Sequence, residues 1–297
     1  TFNAVEVSIS NNRLFQSGSG GGVTLWNTTS DWKSCIIEEN GNEDNPSSGS
    51  AGGLNLGGGT HSFQNSIIRN NWHGWSGGGI DGYNTTITYD TLIIIGNVAR
   101  RGGGISTYND VNFIGEGLFI ISNQATGEFS ESGTTPVGIG GGINMGTGTL
   151  SGATFLYNTA SVGSALFLDA QTASRIHVID SVLIANNNSN TNKSFYIRNS
   201  NSVTVENTNF LNSKIALFNS DNSLFVDAVG NYWGHASGPY HPTQNPSGQG
   251  DSVNAYVNVD PWLTTPNTDA PPIPAQNTTV TGTGNDFISL NWNASLI

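Results

Sequence analysis

Aromatic and polar side chains recur at two fixed offsets after an aliphatic residue that itself recurs along the chain. The recurring aliphatic residues are Val23, Leu54, Ile80, Ile105, Ile143 and Leu166. One residue later come polar side chains, which include Asn55, Asp81, Ser106 and Asn144, and three residues later come the aromatic side chains Trp26, Tyr83 and Tyr108. Because side chains alternate along a strand, both offsets share one outward face.

Flat rings beside amides and a carboxylate suit the binding of a sugar chain. Rings cover the apolar C–H faces of a sugar, and polar groups bind its hydroxyls. The same composition also suits an ordinary β surface, because strands favour Tyr, Trp and Thr. The sequence leaves both interpretations open.

A catalytic interpretation would be centred on Asp81, with Asp110 approaching from the strand end and Arg101 as the basic group. Glycoside hydrolysis needs two carboxylates at a defined separation. Asp81 has no acidic partner at the same offset in a neighbouring repeat, and Arg101 has no acidic cluster beside it that would hold a lyase's calcium. Binding without catalysis is therefore favoured over a polysaccharide hydrolase or lyase.

Metal ligation has weak support in the sequence. Four candidate ligands lie close together near the C-terminal end, and they are His235, His241, Asp251 and Asp260. Their spacing matches no zinc motif, and Asp251 is expected to anchor a loop through backbone amides. Acidic loops such as Glu38-Glu39 and Glu43-Asp44 would suit calcium, although no D-x-D-x-D pattern accompanies them. We predict no cofactor, with calcium as the alternative.

The elements that must position these side chains form a repeat. The aliphatic series continues to Phe195 and Leu217, in steps of 31, 26, 25, 38, 23, 29 and 22 residues. An apolar run ending in Asn alternates with it, at Asn40, Asn70, Asn97, Asn123, Asn158, Asn186, Asn212 and Asn231. A β-rich unit of this length cannot bury its own apolar face, whereas stacked copies can. The pattern predicts an all-β parallel β-helix, with equivalent strands about 4.8 Å apart.

The glycines and asparagines have structural roles in such a coil. Triple glycines precede Ile80, Ile105 and Ile143. Glycine permits positive φ and close approach of stacked backbones. Asn tolerates the left-handed conformation at a corner, and stacked Asn side chains can hydrogen-bond to one another as a ladder.

The alternation of GGGI with runs such as Phe155-Leu156-Tyr157-Asn158 resembles the repeats of polymorphic outer membrane proteins and related bacterial right-handed β-helix surface proteins. The resemblance covers about residues 15–262. It implies a right-handed β-helix at a cell surface, but it implies no activity, because such repeats encode coil geometry. The chain has GGG where GGA is commoner in those repeats.

The C-terminal part divides into three pieces. Residues 230–263 contain N-x-W-G-x-x-x-G-P, N-P-x-G-x-G-D and P-W-L, which resemble the closing segment of secreted β-helix repeat proteins. We expect this cap to complete a β-helix of residues 1–263 by plugging its open end with Trp233, Tyr240, Tyr256 and Trp262. Residues 264–276 have the composition of a linker. Residues 277–297 resemble the first strands of a fibronectin type III domain, with Trp292 as its core tryptophan, and we expect a longer multidomain chain.

Composition excludes some partners. The net charge is −12 with only 9 Lys and Arg, so the basic stripe that nucleic-acid binding needs is missing. No run approaches the roughly 20 apolar residues of a membrane span. Cys35 is alone among apolar neighbours and is expected to be a buried hydrophobe. With its start at Thr1, the chain is interpreted as a mature or excised part of a secreted or surface protein.

Three functional hypotheses follow. The first is a non-catalytic extracellular β-helix that acts in adhesion or carbohydrate binding, with a polysaccharide or cell-surface glycan as its partner. The second is a polysaccharide-degrading enzyme centred on Asp81. The third is a structural spacer with no ligand.

Overall fold

The protein is a parallel β-solenoid. Its computed structural model describes residues 1–13, 20–41, 51–130, 137–169, 177–198, 202–272, 276–283 and 288–293. Within these ranges every regular element is a β-strand. The chain makes about 8 turns of solenoid, which confirms the predicted all-β class and the parallel coil.

The strands are short except where one strand continues around the corners of a turn. The first half of the chain has β1 (Phe2–Val5), β2 (Ser8–Ser10), β3 (Val23–Trp26), β4 (Ser30–Lys33), β5 (Ile36–Glu38), β6 (Leu54–Gly57), β7 (Thr60–Arg69), β8 (Ile80–Ile95), β9 (Val98–Ala99), β10 (Ile105–Ile121), β11 (Gln124–Ala125), β12 (Ile143–Met145), β13 (Thr149–Ser151) and β14 (Ala153–Leu156). The second half has β15 (Thr159–Ala160), β16 (Leu166–Asp169), β17 (His177–Asp180), β18 (Leu183–Ala185), β19 (Asn188–Ser189), β20 (Lys193–Arg198), β21 (Val203–Glu206), β22 (Asn209–Leu211), β23 (Ile215–Asn219), β24 (Val226–Asp227), β25 (Ser252–Val253), β26 (Val257–Asn258), β27 (Gln276–Thr283) and β28 (Ile288–Asn293).

Most strands stack into three parallel walls, and a short parallel sheet of β9, β11, β15 and β19 lies beside them. We call the wall that contains the recurring aliphatic residues the anchor wall; it consists of β3, β6, the starts of β8 and β10, β12, β16, β20, β23 and β25. Its hydrogen-bonded register aligns Val23, Leu54, Ile80, Ile105, Ile143, Leu166, Phe195, Leu217 and Val253. The repeat frame predicted from the sequence is therefore confirmed residue by residue, including its weaker last members.

The core is one continuous apolar column inside the three walls. Leu54, Ile80, Ile105, Ile143 and Leu166 are each 0% exposed and belong to a single cluster. Each turn alone would leave these side chains in water, so their burial depends on the turns above and below. Lone Cys35 is buried in the same cluster, as expected.

The triple-glycine turns serve both purposes that the sequence indicated. The first glycine is left-handed, with φ of +60° at Gly102. The second packs against the next turn, because a Cβ on Gly103 would lie 2.4 Å from the carbonyl carbon of Gln124. A side chain at the first position would be opposed by the left-handed backbone, and one at the second by the backbone of the next turn.

The asparagine ladder exists, but its register differs from the prediction at three turns. Asn212 belongs to one of these turns and lies at a left-handed corner with φ of +55°, while Asn231 accepts from the backbone amide of Thr208 outside the ladder. The ladder runs through Asn12, Asn40, Asn71, Asn97, Asn123, Asn158 and Asn187. Asn70 and Asn186, which the apolar runs had indicated, lie one residue earlier at the left-handed corner, with φ of +53° and +54°. Of two adjacent positions in each turn, one favours Asn because its backbone is left-handed and the next because its side-chain amide stacks. The sequence alone does not distinguish the two positions.

The C-terminal cap continues the core. The Trp233 ring is 0% exposed and stacks on Phe210, with 4.5 Å between ring centroids. Trp262 packs against the same core, whereas Tyr240 is 45% exposed and does not plug the end. Asp251 accepts a hydrogen bond from the backbone amide of Ser213 at 2.9 Å, which confirms its anchoring role.

The segment after the cap lies against the solenoid before a two-stranded hairpin. Asn267 exchanges backbone hydrogen bonds of 2.9 Å with the side chain of Asn209. Strands β27 and β28 pair antiparallel, which confirms the two predicted strands. The fibronectin type III resemblance stays a prediction, and the side chain of Trp292 lies outside the described residues. Within the described ranges, no helix has the length and apolar character needed to cross a membrane.

Candidate functional site

The outward aromatic column lies on the anchor wall, as the offsets predicted. Strand pairing places Trp26 beside Gly57, Gly57 beside Tyr83, and Tyr83 beside Tyr108. With a strand spacing of about 4.8 Å, the column from Trp26 to Tyr108 is about 14 Å long. The three predicted aromatic residues therefore follow one line parallel to the solenoid axis.

The gap at Gly57 brings Trp26 and Tyr83 together. A Cβ on Gly57 would lie 2.3 Å from Cε3 of Trp26, so the indole lies across this glycine. The ring centroids of Trp26 and Tyr83 are consequently 6.0 Å apart, with an interplanar angle of 48°. Trp26 is 53% exposed and Tyr83 is 39% exposed. These two rings form an apolar platform that faces solvent.

The polar column beside the rings is not presented to solvent, which corrects the expectation for Asn55, Asp81, Ser106 and Asn144. These four side chains are between 0% and 3% exposed. The residues that precede the glycine turns fold back over them, in an outer layer in which Ser76, Arg101, Ile139 and Val162 bridge one another in turn. The offsets from the recurring aliphatic residues do not predict that the segment before the glycines covers the wall.

Asp81 is a carboxyl buried beneath this outer layer. Ser76 Oγ donates to Asp81 Oδ2 at 2.6 Å, and the Asp81 side chain is 3% exposed. Burial raises the pKa of Asp81 to about 7, while the Ser76 hydrogen bond and the charge of Arg101 lower it by less. A polysaccharide on the surface does not reach this carboxylate as it lies, so the structure offers no support for Asp81 as a nucleophile or acid.

Replacement of Asp81 with Asn is expected to make stability less dependent on pH. The folded-state pKa of Asp81 is raised to about 7 from 3.8, so the stability that it contributes is complete below pH 4 and is lost as the pH rises toward 7. The amide oxygen of the introduced side chain can still accept the Ser76 hydrogen bond, and the amide carries no charge. The free energy of unfolding of Asp81→Asn, measured relative to wild type, should therefore be at least about 1.4 kcal/mol higher at pH 8 than at pH 4.5. One pKa unit corresponds to that much free energy. Urea unfolding at both pH values measures this, and an unchanged difference would contradict the buried-carboxyl assignment.

A cleft of about 310 Å³ opens at the end of the aromatic column. Its lining includes Tyr108, Asn144, Gly146, Asp169 and Arg101. Gly146 occupies the column position between Tyr108 and Asp169, as the pairings of Ser106 with Asn144 and of Met145 with Leu168 require. The three atoms nearest to a Cβ built on Gly146 all belong to the backbone, the closest at 3.2 Å. Among the described residues, no side chain contributes one of these nearest atoms, unlike Trp26 at Gly57, and we call this gap the Gly146 slot.

The far side of the Gly146 slot is a buried ion pair. Arg198 Nη2 lies 2.5 Å from Asp169 Oδ2, and the two side chains are 12% and 7% exposed. Arg198 and Asp169 belong to adjacent turns that the anchor-wall register brings together. Asp169 comes three residues after Leu166, so the repeat offsets predict it on this face. They do not reveal its partner, because Arg198 belongs to a repeat without the glycine signal.

The candidate acid Asp110 lies at the corner beside this slot. It accepts a hydrogen bond of 2.8 Å from Thr147 Oγ1. Burial lowers the pKa of nearby His177 to about 4, against a smaller raising effect of the Asp110 charge. Asp110 is exposed and Asp81 is buried, so the structure does not bring them together as a pair of reacting carboxylates.

Beyond the slot the outer face becomes apolar and closed. The rings of Phe167, Tyr196 and Phe218 stack with centroid separations of 5.3 and 5.5 Å. Ile139 and Val162 cover them, with Phe129 packed at the edge. The accessible part of the face therefore runs from Trp26 to the Gly146 slot.

Polar side chains away from this face have structural roles. His73 Nδ1 accepts backbone hydrogen bonds from Trp75 and Ser76 at 3.0 and 3.3 Å, and burial lowers its pKa to about 4. Among the described residues, no group of three or more His, Cys, Asp and Glu side chains could hold a metal ion. Glu38 pairs with Arg69 at 2.6 Å, while Glu43 and Asp44 lie outside the described residues, so the calcium alternative stays untested.

Comparison of the chain with protein-family models, with curated proteins and with solved structures gives no match.

Proposed function

We propose that this solenoid is a non-catalytic, extracellular binding module whose anchor wall holds a polysaccharide parallel to the solenoid axis. The ligand would lie on the Trp26–Tyr83 platform, pass Tyr108 and end at the Gly146 slot. The resemblance of the repeats to bacterial surface proteins supports a location outside the cell. Adhesion through a cell-surface glycan is the corresponding biological role.

The observation that carries the proposal is the exposed platform. Trp26 and Tyr83 keep 53% and 39% of their surface in water. Aromatic rings held at 6.0 Å across the intervening Gly57 present a rigid apolar surface at little cost in conformational entropy. Sugar rings present apolar C–H faces that fit such a surface.

The two other hypotheses have less support. A polysaccharide-degrading enzyme would need a reactive group on the surface, and the candidate Asp81 is 3% exposed. A spacer without a ligand would give no reason for an open slot at the end of an aromatic line. Release of reducing or unsaturated ends from a polysaccharide panel, lost in Asp81→Asn, would establish the enzyme instead.

A glycan array tests the proposal. Wild type should retain a set of polysaccharides, and Trp26→Ala and Tyr83→Ala should each weaken binding about three- to tenfold, the value of one aromatic contact. Tyr240→Ala is the matched control, because Tyr240 is 45% exposed but belongs to the cap. An empty array, or equal losses in all three variants, would contradict binding at this face and favour the spacer.

A further inference from the structure

The Gly146 slot has the shape of a site for a single sugar ring. Removal of one side chain from a column leaves about two strand spacings, roughly 9.6 Å, between the neighbouring side chains. Tyr108 forms one wall of this gap and the Asp169–Arg198 pair forms the other. A volume of about 310 Å³ lies at the lower end of the range for small-molecule sites. The slot thus has room for one residue of a chain, whereas the tilted rings of Trp26 and Tyr83 form an open surface.

The charged side chains around the slot differ in whether they have a partner. The carboxylate of Asp169 is neutralised by Arg198, which approaches it through Nε at 3.2 Å and through Nη2 at 2.5 Å. Asp110 is exposed and engaged by Thr147, and it does not line the cleft. The remaining charged group of the lining is Arg101.

The guanidinium of Arg101 has one buried donor without an acceptor, and its charge also acts on Asp81. Its Nε is buried and has no hydrogen-bond partner. Its Cζ lies 5.5 Å from the ring centroid of Tyr108, so the charge is held at the aromatic wall of the slot. Among the described residues, no carboxylate forms a salt bridge with it. A buried donor that lacks a partner is costly, and a carboxylate is the group that a guanidinium binds best, through two parallel hydrogen bonds.

We propose that the Gly146 slot takes a carboxylate-bearing sugar, that is, a uronate residue of the bound polysaccharide, and that Arg101 recognises its carboxylate. This inference rests on the proposed function, because it names the class of glycan that the anchor wall holds. Tyr108 packs against the sugar ring. The net charge of −12 acts against acidic chains at long range, but it is screened over about 8 Å at physiological salt, so the local cation decides the preference.

Paired ligands that differ only in charge test the inference. Hexamers of α-1,4-galacturonate and β-1,4-mannuronate are titrated calorimetrically at 0.15 M salt, each beside its methyl ester. We expect one hexamer to bind wild type at least about tenfold more tightly than its own ester. In Arg101→Gln the preference should fall to about twofold or less. Arg69→Gln is the matched control, because it removes the same charge from an exposed Arg of another wall and should keep the preference.

The outcomes separate the two proposals. Esters that bind as well as the acids, or a preference that survives Arg101→Gln, would overturn the uronate assignment while the binding function stands. Absence of binding for both members of every pair, together with an empty glycan array, would overturn the binding function itself. The comparison of acid with ester in wild type needs no variant, so it tests the preference for a uronate carboxylate even if Arg101→Gln does not fold.

Discussion

Replacement of Gly103 with Ala is expected to destabilise the solenoid by about 4 kcal/mol or more, which is at the extreme of single substitutions. A Cβ on Gly103 would lie 2.4 Å from both the carbonyl carbon and the carbonyl oxygen of Gln124 in the next turn. Neither atom belongs to a flexible side chain, so the stacked backbones must separate. The free energy of unfolding from guanidinium titration measures the loss. Because native proteins are stable by only about 5–15 kcal/mol, the variant is expected to unfold at the lowest denaturant concentrations.

Gly82→Ala is the matched control for Gly103→Ala. Gly82 lies in β8 two residues after Ile80, and the nearest atoms to a Cβ there belong to Val111 and Thr107 at 3.6 to 3.7 Å, which is ordinary contact. Ala at this position should be neutral or should stabilise by up to about 1 kcal/mol, because it restricts the unfolded chain. Equal losses in the two variants would show that glycine is needed for flexibility along the whole chain and not for the close approach of stacked turns.

Asn71→Ala is expected to cost about 3 kcal/mol. Asn71 Nδ2 donates to Ile37 O at 2.9 Å and to Asn97 Oδ1 at 3.0 Å. Its Oδ1 accepts from the backbone amide and the side-chain amide of Asn40, both at 3.0 Å. Truncation leaves the backbone N–H and one side-chain N–H of Asn40 without partners, and each such buried group costs about 1–3 kcal/mol.

The preceding residue supplies the control for the ladder. Asn70 is exposed with φ of +53°, and it forms no part of the ladder. Asn70→Gly should change stability by only a few tenths of a kcal/mol, because glycine adopts the left-handed conformation without strain. Thermal or urea unfolding of the two variants compares them directly. A large loss for Asn70→Gly and a small one for Asn71→Ala would place the ladder in the register that the apolar runs first indicated.

The sequence predicts the repeat frame well because the frame depends on local signals. A small-residue step before Ile80 or Ile105 and an apolar run before Asn97 recur in every turn, and stacking is the one way to bury them. The register of the ladder at Asn71 is harder to predict, because a left-handed corner and a stacked amide both favour Asn. Tyr240 was expected in the cap interior, but aromatic character alone does not say which ring faces the core.

The candidate site could be predicted only in part. The outward direction of Trp26, Tyr83 and Tyr108 follows from strand alternation within the repeat frame. The burial of Asp81 depends on Ser76, which returns over the wall by a path that no periodicity encodes. The slot depends on an absence, the missing side chain of Gly146, and on Arg198 in a repeat without glycines. Such features come from packing between distant turns and need the three-dimensional structure.

The most direct measurement of the central claim is a crystal structure of the protein with the polysaccharide fragment that binds most tightly on the array. The account predicts a sugar chain along the anchor wall parallel to the solenoid axis, with rings over Trp26 and Tyr83 and one residue in the Gly146 slot. A fragment bound to another wall or to the cap, with the Trp26–Tyr83 platform bare at saturating ligand, would contradict it.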